Sequence, residues 1–121
     1  MAMAIGHYFT LLLATFCCEL IVYGALLHGI FSKRKILTVC LLLNIITHPL
    51  VCLVFPRCFG IYYWIPAELF AWVVETQILR VLAQWMVHYR MKWTSALLIS
   101  LAANAFSAGF GLLFFSDWPI P

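Results

Sequence analysis

Apolar residues in this chain gather into four long runs, and polar residues concentrate in the short gaps between them. The runs cover about 8–31, 36–55, 65–88 and 93–115. The hydrocarbon core of a bilayer is ~30 Å thick, and a helix needs about 20 mostly apolar residues to cross it. Every run reaches that length. The first gap is only 32–35. The second, 56–60, reads as a turn with Pro56 and Gly60 at its ends, followed by Tyr62, Tyr63 and Trp64 as interfacial aromatics. Pro66 opens the third run, where proline costs no intrahelical N–H bond. The third gap is 89–92, and 116–121 forms a tail with Trp118 at the interface. The pattern predicts an all-α fold: an integral membrane bundle of four transmembrane helices with short loops, one domain over 1–121. A re-entrant or interfacial third run is the competing arrangement, because that run holds Glu68, Glu75, Gln77, Arg80 and Gln84. A helix satisfies its own backbone in lipid, so the length of the run favours full crossing.

Composition supports this reading. The 121 residues are 66% hydrophobic and 9% charged, against about 25% charged in soluble domains. The net charge is +3, and the one basic cluster, Lys33-Arg34-Lys35, is too short for a nucleic-acid surface. Its placement sets topology instead. Lys33, Arg34, Lys35, Arg90 and Lys92 fall on one side and Arg57 and Asp117 on the other. Cytoplasmic loops collect the basic residues, so both termini are expected on the non-cytoplasmic side of the cell inner (plasma) membrane. The first run is too long for a signal-peptide core and lacks a basic segment before it. Of Cys17, Cys18, Cys40, Cys52 and Cys58, four fall inside runs, where cysteine acts as a small hydrophobe. Only Cys58 is expected in a loop.

The polar residues inside the runs carry the candidate chemistry. At 1.5 Å per residue, Glu19, Asn44, Glu75 and Asn104 each lie roughly 15–16 Å from the outer end of their runs. They are expected to meet as one intramembrane polar layer. An ionisable residue at that depth costs about 2.5–3.5 kcal/mol and needs a partner. Two readings follow. As glue, the layer fixes helix register with both acids protonated. As a functional site, Glu19 and Glu75 share a proton, since two close acids do not both ionise cheaply. The Glu, Asn, Glu, Asn order also hints at two similar helical hairpins.

Other polar residues have simpler expected roles. Asn44, Thr47 and His48 lie on one face at i, i+3, i+4, and Pro49 predicts a kink whose freed carbonyl Thr47 and His48 would satisfy. His48 and Cys52 are too few for a metal or haem site. No metal, cofactor or catalytic residue is expected, and an intramembrane serine hydrolase has no base at matching depth. Glu68 suits the first turn of the third helix, where its dipole favours a carboxylate. Gln77, Arg80 and Gln84 form a stripe for a partner or lipid, with Arg80 free to snorkel. Ser100, Asn104, Ser107 and Gly111, with Gly109 nearby, read as a close-packing face.

Asn44-x-x-Thr47-His48-Pro49, the Glu-bearing third run and Ser100-x-x-x-Asn104-x-x-Ser107 together resemble a group of small four-helix bacterial inner-membrane proteins. The resemblance runs through most of the chain. It implies the fold and supplies no activity. The function expected from the residues is a small accessory or structural subunit of a larger membrane complex, partnered by the bilayer and by other membrane subunits, with no nucleic acid. The alternative is an oligomeric proton, ion or small-solute transport protomer built on Glu19 and Glu75.

Overall fold

The computed structural model describes residues 5–115. Asp117, Trp118 and the rest of the expected tail lie outside them. Among the described residues the fold is all-α: α1 (Ile5–Leu27), α2 (Lys33–Pro49), a short α3 (Phe55–Phe59), α4 (Trp64–Val87) and α5 (Trp93–Phe115). Three helical stretches are long and apolar enough to cross a membrane: α1, the continuous stretch from α2 through residue 62, and α5. At 24 residues α4 is as long, but Glu68, Glu75 and Arg80 lower its apolarity.

Local chemistry explains most of the helix ends. α1 stops at Leu27, four residues short of the expected Phe31. There the chain turns, with the N–H groups of Ile30 and Phe31 both bonded to Leu27 O at 2.9 Å. The His28 ring sits 2.7 Å from Ala25 O, in the last turn where helix carbonyls lack internal partners. Ser32 is extended (φ −68°, ψ 162°) and accepts the Lys35 N–H at 3.4 Å, a side-chain N-cap on α2.

Pro49 does not end its helix. Leu50 N–H bonds to Thr47 O, three residues back. Residues 50–54 then widen into a π-helical segment, with Phe55 N–H reaching Leu50 O. The backbone absorbs proline by changing its hydrogen-bond register, as helices do at such sites. Thr47 and His48 do not serve the freed carbonyl as expected; they bond elsewhere. The segment 56–60, expected as a turn, is mostly helical. Pro56 opens α3 near its first position, where the missing N–H costs nothing, and this also places Cys58 on a helix. α3 ends at Gly60, whose φ of 61° and ψ of −136° suit glycine.

α1 packs against α2 and α5, and α4 packs against the same two helices. The helices therefore form a ring in which α1 and α4 occupy one diagonal. The buried core is uneven along this ring. Leu27 and Phe31, Ile36, Val39 and Leu43, Leu79 and Leu82, Met91 and Ala96 form an apolar cluster at the end that carries Lys33–Lys35 and Arg90–Lys92. Polar side chains occupy the middle, at the upper edge of that cluster.

α5 departs from the expected packing in one respect. A Cβ built on Gly109 or Gly111 meets nothing within 4 Å, so neither glycine is there for close approach. The close contacts come from Ala96, Ser100, Ala103 and Asn104, all buried.

Candidate functional site

The four residues predicted at one depth are all buried and form two bonded pairs, one in each hairpin. Glu19, Asn44 and Glu75 are each 1% exposed and Asn104 6%. Their arrangement repeats. Asn44 Nδ2 donates to Glu19 Oε2 at 2.8 Å and to Cys40 O, four residues back on its own helix, at 2.9 Å. Asn104 Nδ2 donates to Glu75 Oε2 at 2.6 Å and to Ser100 O, again four back, at 2.9 Å. Each asparagine thus spends both amide hydrogens, one on its helix and one on the glutamate of its hairpin partner.

Contacts across the hairpins are less symmetric. From α2, the Thr47 hydroxyl lies 3.0 Å from Glu75 Oε1 and 2.8 Å from Leu43 O. From α1, Tyr23 OH donates to Glu75 Oε2 at 3.4 Å. Glu75 is therefore held by α1, α2 and α5, whereas Glu19 is held by Asn44 of α2 and by Ser107 of α5. None of these partners is basic. Asn44 Oδ1 is buried and accepts no hydrogen bond.

A second tier supports α4 and α5. Trp72 Nε1 donates to Leu97 O at 2.9 Å, and Ser100 Oγ to Trp72 O at 3.3 Å. Thr76 Oγ1 takes the same carbonyl at 2.7 Å. These contacts fix Ser100, whose carbonyl orients Asn104.

Toward the end away from the basic loops, polar groups continue. His48 Nε2 lies 3.4 Å from Cys52 Sγ, and the Tyr8 ring packs on His48 with centroids 5.2 Å apart. Glu68 is half-buried and interacts electrostatically with Cys52, Tyr63 and Glu75. It lies beyond the first turn of α4, so the expected dipole-capping role falls away. Among the described residues no group of three His, Cys, Asp or Glu is arranged to hold a metal. An apolar groove of about 430 Å³ lies between α1 and α2, walled by Phe9, Leu13, Phe16, Leu41 and Ile45, and Asn44 reaches it.

Arg80 and Gln84 of the expected α4 stripe line one pocket at the basic end. Gln77 and Gln84 are exposed on the outside of the bundle. Arg80 instead turns toward α5: its Nε donates to Met91 O at 3.2 Å and its guanidinium lies 5.0 Å from the Trp93 ring centre.

Sequence reasoning missed Tyr23 and gave Ser100 only a packing role. Tyr23 stands four residues after Glu19, one turn along the same face, so its spacing was available as a signal. Comparison with protein-family models, curated proteins and solved structures gives no match, so the functional reading rests on the geometry.

Proposed function

We propose that this chain is a four-span proton-handling membrane protomer in which Glu19 and Glu75 each bind a proton at mid-bilayer. The observation that carries the reading is the hydrogen count of the layer. Thr47 has one hydroxyl hydrogen but two neighbours that would accept it, Leu43 O and Glu75 Oε1. A proton on Glu75 Oε1, given to Thr47, lets Thr47 give its own to Leu43. Asn44 has both amide hydrogens committed and a buried oxygen with no donor. A proton on Glu19, whose carboxyl already accepts from Asn44, is the donor this reading assigns to that oxygen. One proton on each carboxyl closes the network, and a buried acceptor left open costs about 1–3 kcal/mol.

In this reading the layer is loaded from one side. The apolar cluster of Leu27, Leu43 and Leu79 seals the layer from the basic end, while Glu68, His48 and Tyr8 lie toward the other. On the positive-inside rule the sealed end is cytoplasmic, and protons load from the outer side. Ionisable groups inside a membrane mark such relays.

The test is proton flux into liposomes holding the purified protein under a pH gradient. Flux above that of empty liposomes, lost in both Glu19→Gln and Glu75→Gln, supports the reading. Wild-type protein that moves no protons overturns it for the isolated chain. A second reading, the accessory subunit, is favoured by Gln77 alone. Its amide lies near the middle of α4, exposed, with no hydrogen bond among the described residues. An amide facing lipid is costly without a partner. Mass measurement of the complex recovered in gentle detergent separates the readings: a stoichiometric larger partner supports the subunit, and a pure homo-oligomer the protomer.

A further inference from the structure

The basic end of the bundle holds an open pocket of about 610 Å³ outside the carboxyl layer, lined by Arg80, Val81, Gln84, Trp85, His88 and Arg90. Among the described residues no acidic side chain faces its cations. The acidic residues of the chain are Glu19, Glu68, Glu75 and Asp117. The three glutamates belong to the mid-bundle layer or lie beyond it, and no acidic residue lines the pocket.

Arg80 is fixed rather than floppy. Its Nε is spent on Met91 O and its plane rests against Trp93. Both Nη groups then have no partner among the described residues. That leaves a pre-oriented fork of the kind that takes two oxygens of one phosphate. The loop completes the site. His88 ends α4 in the left-handed conformation (φ 53°), an uncommon backbone state for a non-glycine residue. This sharp turn brings Arg90 over the same pocket as Arg80. The pocket is not purely ionic. Val81 is 55% exposed and Trp85 75%, giving it an apolar wall continuous with the outer surface of α4.

From these features we infer that the pocket binds the phosphate of an anionic phospholipid, with Arg80, Arg90 and His88 on the headgroup and Val81 and Trp85 along an acyl chain. The apolar wall decides between the two sources of phosphate. A soluble phosphate leaves Val81 and Trp85 uncovered, whereas a lipid covers both parts of the site. Basic pockets at the cytoplasmic side of helix bundles hold anionic headgroups for this reason.

The experiment is thermal unfolding of the purified full chain in a mild neutral detergent, titrated with phosphatidylglycerol, phosphatidylcholine or inorganic phosphate. Phosphatidylglycerol should raise the melting temperature saturably, and the other two should not. Arg90→Gln should weaken that effect roughly fivefold, the worth of one basic residue near an anionic surface. Arg90 is exposed, so this variant leaves the fold intact. Arg80→Lys should weaken it further, because lysine keeps the charge and loses the fork. An equal response to phosphatidylcholine overturns the inference in favour of simple apolar contact. An equal response to inorganic phosphate overturns the lipid as source. An unchanged response in Arg90→Gln overturns the pocket.

Discussion

Glu75 offers the sharpest test of the hydrogen count, because two substitutions separate the protonated carboxyl from the carboxylate. In Glu75→Gln the amide nitrogen takes the place of the acid hydroxyl. It donates to Thr47, and the amide oxygen accepts from Asn104 and Tyr23, the same three partners that Glu75 has now. If Glu75 is neutral, the exchange conserves every bond, and stability should change by no more than one average interhelical contact, about 0.6 kcal/mol. Glu75→Ala removes all three bonds at about 0.6 kcal/mol each, a loss of about 2 kcal/mol, with a void added. If Glu75 were ionised, Gln would forfeit charge-assisted bonds worth about 1.5–3 kcal/mol apiece and set an amide N–H against donors. The assay is equilibrium unfolding in mixed micelles with rising sodium dodecyl sulfate. Gln near wild type with Ala about 2 kcal/mol below it supports the neutral layer. Gln as damaging as Ala refutes it.

Three further substitutions probe the frame around the layer. Trp72→Phe keeps the ring and removes the bond to Leu97 O; it should cost about 0.6 kcal/mol, at most about 1.7, in the same micelle titration. Gly60→Ala meets no steric obstacle but forces alanine to φ 61°, which should cost about 1–3 kcal/mol and show as a lowered melting temperature in detergent. His88→Gly should act in the opposite sense, since glycine adopts φ 53° without the left-handed penalty of about 1–2 kcal/mol; a fall in melting temperature would count against backbone strain at that turn.

The polar layer was readable from the sequence because depth along a helix is simple arithmetic. Residues 19, 44, 75 and 104 sit at nearly equal counts from the corresponding ends of their runs, and nearly equal counts mean nearly equal depth at about 1.5 Å per residue. Rotation about each helix axis was less readable. Apolar residues cover all sides of α1 and α5, so no face announces itself as the core. This is why Gly109 and Gly111 read as packing residues. The helix ends were legible only in part. Ser32 is a recognisable cap, whereas Pro56 and Gly60 look alike as turn signals although only Gly60 breaks the helix. The π-helical segment after Pro49 is a backbone compromise whose position, but not form, proline announces.

The repeated amide geometry bears on how such a layer is built. Asn44 and Asn104 each tie a carbonyl four residues back to the glutamate of the preceding long helix. α1 with α2 and α4 with α5 thus form two hairpins with the same amide pattern, and α1 and α4 share a diagonal. Such an arrangement brings two acids into one apolar interior, where two negative charges repel strongly in a low dielectric. Neutral carboxyls would remove that repulsion and offer hydrogens to Thr47 and to the open oxygen of Asn44. Perfect symmetry would make the two acids interchangeable, and here they are not. Glu75 collects bonds from Thr47 and Tyr23 beyond its own asparagine; Glu19 has Asn44 and Ser107. The hairpins supply two similar carboxyls, each met by a crossing hydroxyl, and Tyr23 gives Glu75 one partner more. Two acids that differ by one hydrogen-bond partner would hold a proton unequally, a difference that the proposed proton-handling role would use.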